Sequence, residues 1–321
     1  MSNKPLALVK FKKRLQTYRP GEVYVVDQKN LANLPKGFAD VYPYDILPAY
    51  DGTQPNFYIL RSGGLGDLFA LSCLQDMNPT VITNRENFAA LDWWRQPPKR
   101  KTFQQPLFTV KYPEKMETVA KRYGVLRGED AIELGSRQNW MEIFNLAAGR
   151  SAVMEADLRP DLDYTKASPL FEGQCLIVSK STSINRSADT DTIRQVAQKY
   201  FQSVVISENL GRLGVKRWLE YLAMADFVIS VDTSAIHFRE GVRLPALGLY
   251  SSFEAESRTK YYCYTASVNI SSPCELQPCY LRNQIRCPKA APEATAAPCL
   301  SPGYNPTLAQ QIDHALSKLL T

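Results

Sequence analysis

No apolar run in this 321-residue chain approaches the roughly 20 residues that cross a bilayer, so no membrane-spanning helix is expected. The opening residues, MetSerAsnLysProLeuAlaLeuValLysPheLysLys, lack a signal-peptide core, which sets a cytoplasmic expectation. There is no GlyLysSer or GlyLysThr, and therefore no P-loop. No dense Lys/Arg stripe with interleaved aromatics marks a nucleic-acid groove. Cys-X-X-Cys is also missing, although the chain has seven cysteines. Four of them fall late, Cys274, Cys279, Cys287 and Cys299, at spacings of 5, 8 and 12 positions that match no zinc knuckle. A cytoplasmic setting disfavours disulfides; reduced thiols, disulfides and a metal site all stay open for these four. Histidine is nearly absent, with two residues, His237 and His314.

What is present is an ordinary globular composition, 45% hydrophobic and 22% charged, with enough apolar residues for real cores. The length suggests about two domains. The net charge of +6 suits an acidic ligand, a phospholipid surface or nucleic acid, and does not choose among them.

Along the chain, LeuValLysPheLys and GluValTyrValValAsp alternate as strands and open a small β-rich extension, which reads as an accessory or partner-binding element. Pro43, Pro48, Gly52 and Pro55 then punctuate a linker. From Phe57 the pattern is α/β. Strands are expected at PheTyrIleLeu, ThrValIleThr, LeuPheThrValLysTyr and AlaIleGluLeu, with helices after Asp67, over Glu114–Tyr123 and at AsnTrpMetGluIlePheAsnLeuAlaAla. A linker over Asp157–Asp163 leads to a second set, with strands at Cys175–Ser179, SerValValIleSer, PheValIleSerVal and AlaLeuGlyLeuTyr. Its helices are expected over Asp191–Tyr200, at ArgTrpLeuGluTyrLeuAlaMetAla and over Thr307–Leu320, and Pro288–Pro298 reads as a flexible loop. Alternating strands and helices predict parallel sheets covered on both faces. The expected boundaries are 1–55 for the extension and linker, 56–163 for a first Rossmann-like (acceptor) domain and 164–321 for a second (donor) domain with the cysteine-containing tail.

Ligands of open α/β sheets bind beyond the carboxyl ends of the strands. Four polar loops occupy such positions: Arg61–Asp67, Lys180–Arg186, Glu208–Arg212 and Asp232–His237. In the first, Phe69 stands where a dinucleotide fingerprint needs its third glycine, so Gly63, Gly64 and Gly66 read as a tight turn permitting close approach of a substrate. Asp67 reads either as a simple helix cap or as a general base facing the cleft. Asp232, Thr233 and Ser234 end a strand and cap a helix that carries His237, a ready anion site. His237 is either a structural histidine or a ligand contact, while His314 reads as surface or packing. Lys180 and Arg186 suit a diphosphate or are a solvated loop; Glu208 suits a ribose or is a solvated carboxylate.

Two of these motifs resemble those of the heptosyltransferase-like enzymes of glycosyltransferase family 9. ArgSerGlyGlyLeuGlyAspLeu is similar to that family's Arg…GlyAsp motif, and LeuAlaMetAlaAspPheValIleSerValAspThrSerAlaIleHis to its AspThrGlyPro-X-His motif. ProAlaLeuGlyLeuTyr, SerArgThrLysTyrTyr and the late cysteines resemble its continuation, so the likeness spans about Phe57 to Leu320. Ser234 and Ala235 replace the usual Gly-Pro, and SerSerPhe at 251–253 replaces Gly-Pro-Thr. The resemblance implies a GT-B fold, two Rossmann-like domains with a cleft between them, beside the β-rich extension. It implies inverting, metal-independent transfer from a nucleotide diphosphate sugar, such as ADP-heptose, with no cofactor. Asp67 would be the catalytic base, and Lys180, Glu208, Asp232, Thr233, Ser234 and His237 would bind the donor. Arg61, Gly63, Gly64 and Gly66 would form the acceptor loop, with Arg258 helping to stabilise the leaving group. The expected acceptor is a glycan, a lipid-linked sugar or a lipopolysaccharide core, with the enzyme peripheral at the inner membrane face. Modified DNA bases or protein are the alternative acceptors, and a non-catalytic GT-B binding module is the alternative role.

Overall fold

The computed structural model describes residues 6–43, 51–54, 56–61, 64–110, 116, 118, 124–127, 138–150, 153–279 and 287–321. The chain runs β1 (Leu6–Phe11), β2 (Glu22–Asp27), β3 (Ala39–Pro43), β4 (Phe57–Leu60), α1 (Leu65–Ala70), β5 (Thr80–Ile82), β6 (Lys99–Lys101), β7 (Phe108–Thr109), β8 (Gly124–Arg127) and α2 (Trp140–Ala147). It continues through β9 (Phe171–Val178), α3 (Thr190–Ala197), β10 (Ser203–Ile206), α4 (Val215–Met224), β11 (Ala225–Val231), α5 (Ser234–Gly241), β12 (Ala246–Tyr250), α6 (Glu256–Thr259), β13 (Thr265–Asn269) and α7 (Leu308–Leu320). Among the described residues the strands form an antiparallel sheet β3-β1-β2-β7 and two parallel sheets, β6-β5-β4-β8 and β10-β9-β11-β12-β13.

Successive strand residues point to opposite faces, and that alternation sorts the first half into layers. In β4 and β5, Phe57, Ile59 and Val81 face α1 and α2, packing with Leu68, Phe69 and Phe144. Tyr58, Leu60 and Ile82 face the other way, onto Leu8, Val23, Val25 and Phe108 of the antiparallel sheet. That sheet has its own second core, in which Ala7, Val9, Phe11, Tyr24 and Val26 pack beneath the 12–38 connections with Leu15, Tyr18 and Leu34.

Helices were expected on both faces of the first parallel sheet. Instead the N-terminal strands cover one face, because β1 and β2 are apolar on both sides and bury one of them there. LeuPheThrValLysTyr was expected in the parallel sheet; its strand, β7, pairs antiparallel with Glu22 and Val23 of β2. Lys99–Lys101, a charged segment with no strand signature, takes the parallel edge position beside β5. The helix after Asp67 turns 3-10 from Leu71. The helix expected over 114–123 falls almost wholly outside the described residues, and so does the AlaIleGluLeu strand.

In the second half, α3 and α7 cover one face of the five-stranded sheet through Ile193, Val196, Ile312 and Leu316. On the other face, α4 and α5 bury Leu219, Leu222, Ile236 and Phe238 in the same cluster as Phe69 and Trp94 of the first half. The two halves therefore meet in one continuous apolar core. Pro288–Pro298, read as a flexible loop, contributes buried Ala297 to the second half.

Counting only parallel strands, the first sheet has the order 3-2-1-4 and the second 2-1-3-4-5. Each order reverses beside its first strand, and the crevice at such a reversal is where open α/β sheets receive ligands. The loops after β4, β9 and β11 begin at these reversals.

Candidate active site

Gly64 begins α1 at φ +79°, a conformation that disfavours any side chain, and a Cβ there would also collide with the carboxylate of Asp67. Asp67 lies in the first turn of α1 and is ion-paired with Arg61, both side chains being mostly buried. Gly66 packs directly against the second half. A Cβ on Gly66 would stand 2.9 Å from Cδ2 of His237 and 3.4 Å from Cα of Ser234. Thus α1 and α5 abut at their first turns, and Asp67 and His237 belong to one junction. Gly63 lies outside the described residues.

On the second side, Thr233 caps α5 by accepting from the Ala235 N–H at 3.2 Å, and its hydroxyl meets Ser230 Oγ at 2.8 Å. Asp232 is 4% exposed, and Nη1 of Arg186 donates to its carbonyl at 3.3 Å and to Oδ2 at 3.4 Å. His237 is 3% exposed. Its Nδ1 lies 2.8 Å from the Tyr262 hydroxyl, and its ring lies 4.6 Å from that of Trp140. The Trp140 indole N–H donates to the Arg258 carbonyl at 3.0 Å, and Asn139 Nδ2 to the Glu256 carbonyl at 3.1 Å. These bonds seam α2 of the first half to α6 of the second. The Arg258 guanidinium lies over the rings of Trp140 and Phe253, at 4.9 and 4.1 Å.

Lys180 and Glu208 sit apart from this junction, lining a cleft of about 490 Å³ with Val178, Arg212, Leu213 and Trp218 at the carboxyl ends of β9 and β10. The Glu208 carboxylate accepts from Ser179 Oγ at 2.9 Å and Ser207 Oγ at 2.8 Å, which orients it at the cleft. The Lys180 ammonium instead donates to the carbonyls of Ala188 and Thr295, at 2.9 and 3.2 Å, and ties down the tail loop. His314 is exposed on α7.

No family model matches the sequence, and no curated protein matches it. Among solved structures the chain is similar to TibC of enterotoxigenic E. coli, described as a bacterial iron-containing dodecameric glycosyltransferase. That match has 14% identity and a TM-score of 0.55 over 100% of this chain and 93% of the other. TibC in complex with ADP-D-beta-D-heptose, there described as a heptosyltransferase, matches at 13% identity and a TM-score of 0.56 over 95% and 84%. A glycosyltransferase of family 9 from Veillonella parvula matches at 8% identity and a TM-score of 0.50 over 83% and 97%. The chain has the fold of these glycosyltransferases.

Within this GT-B fold, burial pushes the His237 imidazole down to about 3, against the opposing pull of the Asp232 carboxylate. The histidine is therefore neutral at physiological pH. An unfolded chain protonates it near 6.5, so between 6.5 and 3 the unfolded state binds more protons and stability falls as pH falls. Urea unfolding at pH 6.5 and 5 is expected to differ by about 2 kcal/mol more in the wild type than in His237→Gln. An equal pH dependence in the two proteins would mean that His237 is not buried as a neutral group.

Motif spacing missed Trp140, Tyr262 and Trp218. Tyr262 lay within the quoted ThrLysTyrTyr run, but nothing local to it points toward His237. Trp140 and Trp218 read as helix residues; Trp140 reaches the junction only through the packing of the two halves, and Trp218 lines the cleft within the second half.

Proposed function

We propose that this chain is an inverting glycosyltransferase that moves a sugar from a nucleoside diphosphate sugar, ADP-heptose in type, to a hydroxyl of a glycan or lipopolysaccharide-core acceptor. The observation that carries the proposal is the abutment of the first turns of α1 and α5. It puts a carboxylate from one half beside the capped helix start of the other. A proton acceptor and an anion site at one junction are what sugar transfer between bound donor and acceptor requires.

In this reading Asp67 takes the acceptor hydroxyl proton, and the oxygen attacks the anomeric carbon. The bond from that carbon to the diphosphate breaks with its electron pair on the leaving group. The α5 N–H groups, Arg186 and Arg258 neutralise the charge that develops there. Arg186 suits this better than Lys180, whose ammonium is engaged with carbonyls, and the Nε–H of Arg186 has no acceptor among the described residues. Glu208 would receive ribose hydroxyls in the neighbouring cleft, with Trp218 as an apolar wall for the base.

TibC's iron raises the question of the late cysteines. Cys274, Cys279 and Cys287 lie near enough to raise the thiol of Cys299 further, although burial is the main cause. Among the described residues, however, no group of three or more His, Cys, Asp or Glu is arranged to hold a metal ion.

A thermal-shift panel of ADP-heptose, UDP-sugars and GDP-sugars tests the proposal. One donor at 100 times its Kd is expected to stabilise the protein by about 2.7 kcal/mol, with the gain reduced in Glu208→Gln. Slow release of nucleoside diphosphate should accompany it. Stabilisation by none of them would overturn the proposal in favour of a non-catalytic binding module.

A further inference from the structure

We propose that Tyr262 is a positioning residue for the active site. Its hydroxyl donates to Nδ1 of His237 and holds the imidazole in the tautomer whose Nε2 carries the proton. The inference rests on the donor-site reading above only for what that proton then binds.

The argument starts from donors and acceptors. A neutral imidazole has one N–H and one lone pair, and a phenol has one proton that must find an acceptor when buried. Tyr262 and His237 meet at 2.8 Å, with rings at 84° to one another. Burial raises the Tyr262 phenol well above its ordinary value and lowers the imidazole, so both partners are neutral at physiological pH. Among the described residues the Tyr262 hydroxyl has no other hydrogen-bond partner. If Nδ1 carried the proton, the phenolic proton of the half-buried Tyr262 would have no acceptor among the described residues. If Nδ1 holds the lone pair, the phenol is satisfied and the imidazole proton sits on Nε2.

The backbone after Tyr262 is fixed from the same helix. Glu240, three residues beyond His237 on α5 and 2% exposed, accepts from the N–H groups of Cys263, Tyr264 and Thr265 at 2.8, 2.9 and 2.9 Å. One helix therefore carries both the imidazole and the anchor of the residue that orients it. Trp140 packs against the ring, and the Cδ2–Nε2 edge lies against Gly66, the first-half side of the junction. A neutral N–H there attracts an anionic phosphate oxygen, whereas a lone pair would repel it.

The test reads the tautomer directly. In a ¹⁵N-labelled His314→Gln background, His237 is the single histidine, and long-range ¹H–¹⁵N correlations separate its two nitrogens. The expected wild-type result is a protonated Nε2 and an unprotonated Nδ1, unchanged between pH 8 and 6. In Tyr262→Phe the Nδ1–H form should appear, and ADP binding should weaken about tenfold. A protonated Nδ1 in the wild type, or an unaltered tautomer in Tyr262→Phe, would overturn the proposal. Should Tyr262→Phe not fold, the wild-type spectrum decides alone. If saturating ADP leaves the His237 signals unmoved while Nε2 is protonated, the donor-site reading fails and the positioning role stands.

Discussion

Asp67→Asn is expected to lower the rate of sugar transfer by about 10²- to 10⁴-fold, the usual contribution of a general base, while leaving donor binding nearly intact. Asparagine has the same shape and keeps an oxygen to accept from Arg61, so α1 retains its start. It cannot take the acceptor proton. The proposed donor site lies across the junction, on α5 and the loops after β9 and β10, and is not touched by the substitution. The measurement pairs single-turnover transfer with a donor titration on the same protein. A drop in transfer at unchanged donor Kd supports the assignment; undiminished transfer would remove Asp67 from the chemistry, and a parallel loss of donor binding would make its role structural.

Arg239→Met should cost on the order of 4 kcal/mol of stability, the largest loss expected of any single substitution considered for this chain. Arg239 is fully buried on α5, and burial lowers its guanidinium to about 9, which still leaves it charged at neutral pH. Its fork makes five hydrogen bonds: Nη1 to the carbonyls of Leu222 and Ala225, Nη2 to those of Asp226 and Pro245, and Nε to Pro245 again, all within 2.7–3.2 Å. These tie the end of α4, the start of β11 and the approach to β12 to one helix. Methionine fills a similar volume but offers no donor, so the carbonyls lose their partners where water does not reach. Chemical denaturation of the folded variant would read the loss, and a change within 1 kcal/mol would mean that the carbonyls find other donors.

The elements of the second half were largely legible in the sequence. PheValIleSerVal and AlaLeuGlyLeuTyr are short apolar runs with no helical spacing, and they form β11 and β12, buried on both faces. Thr233 caps α5 because its side chain reaches the first-turn N–H groups without help from any distant residue. The loops at the strand ends followed from the same reasoning, since a strand that stops in polar residues delivers them to the edge of the sheet.

The first half was harder to read. Its N-terminal strands signalled β structure, but whether they stand alone or cover the parallel sheet depends on Leu8 and Val25 meeting Leu60 and Ile82, which no local pattern encodes. Lys99–Lys101 became a strand through pairing with β5, against its own composition.

By itself, the sequence determined the strand–helix alternation, the cap of α5 and the identity of the polar residues at the strand ends, because each depends on neighbours within a turn or a strand. The tertiary structure alone decided that Gly66 lies against His237, that Lys180 spends its charge on two carbonyls, and that Tyr262, 25 residues along, reaches Nδ1. Those contacts follow from how the two halves bury one shared core. Burial is a property of the assembled chain, and it sets both which polar groups must pair and which charges survive.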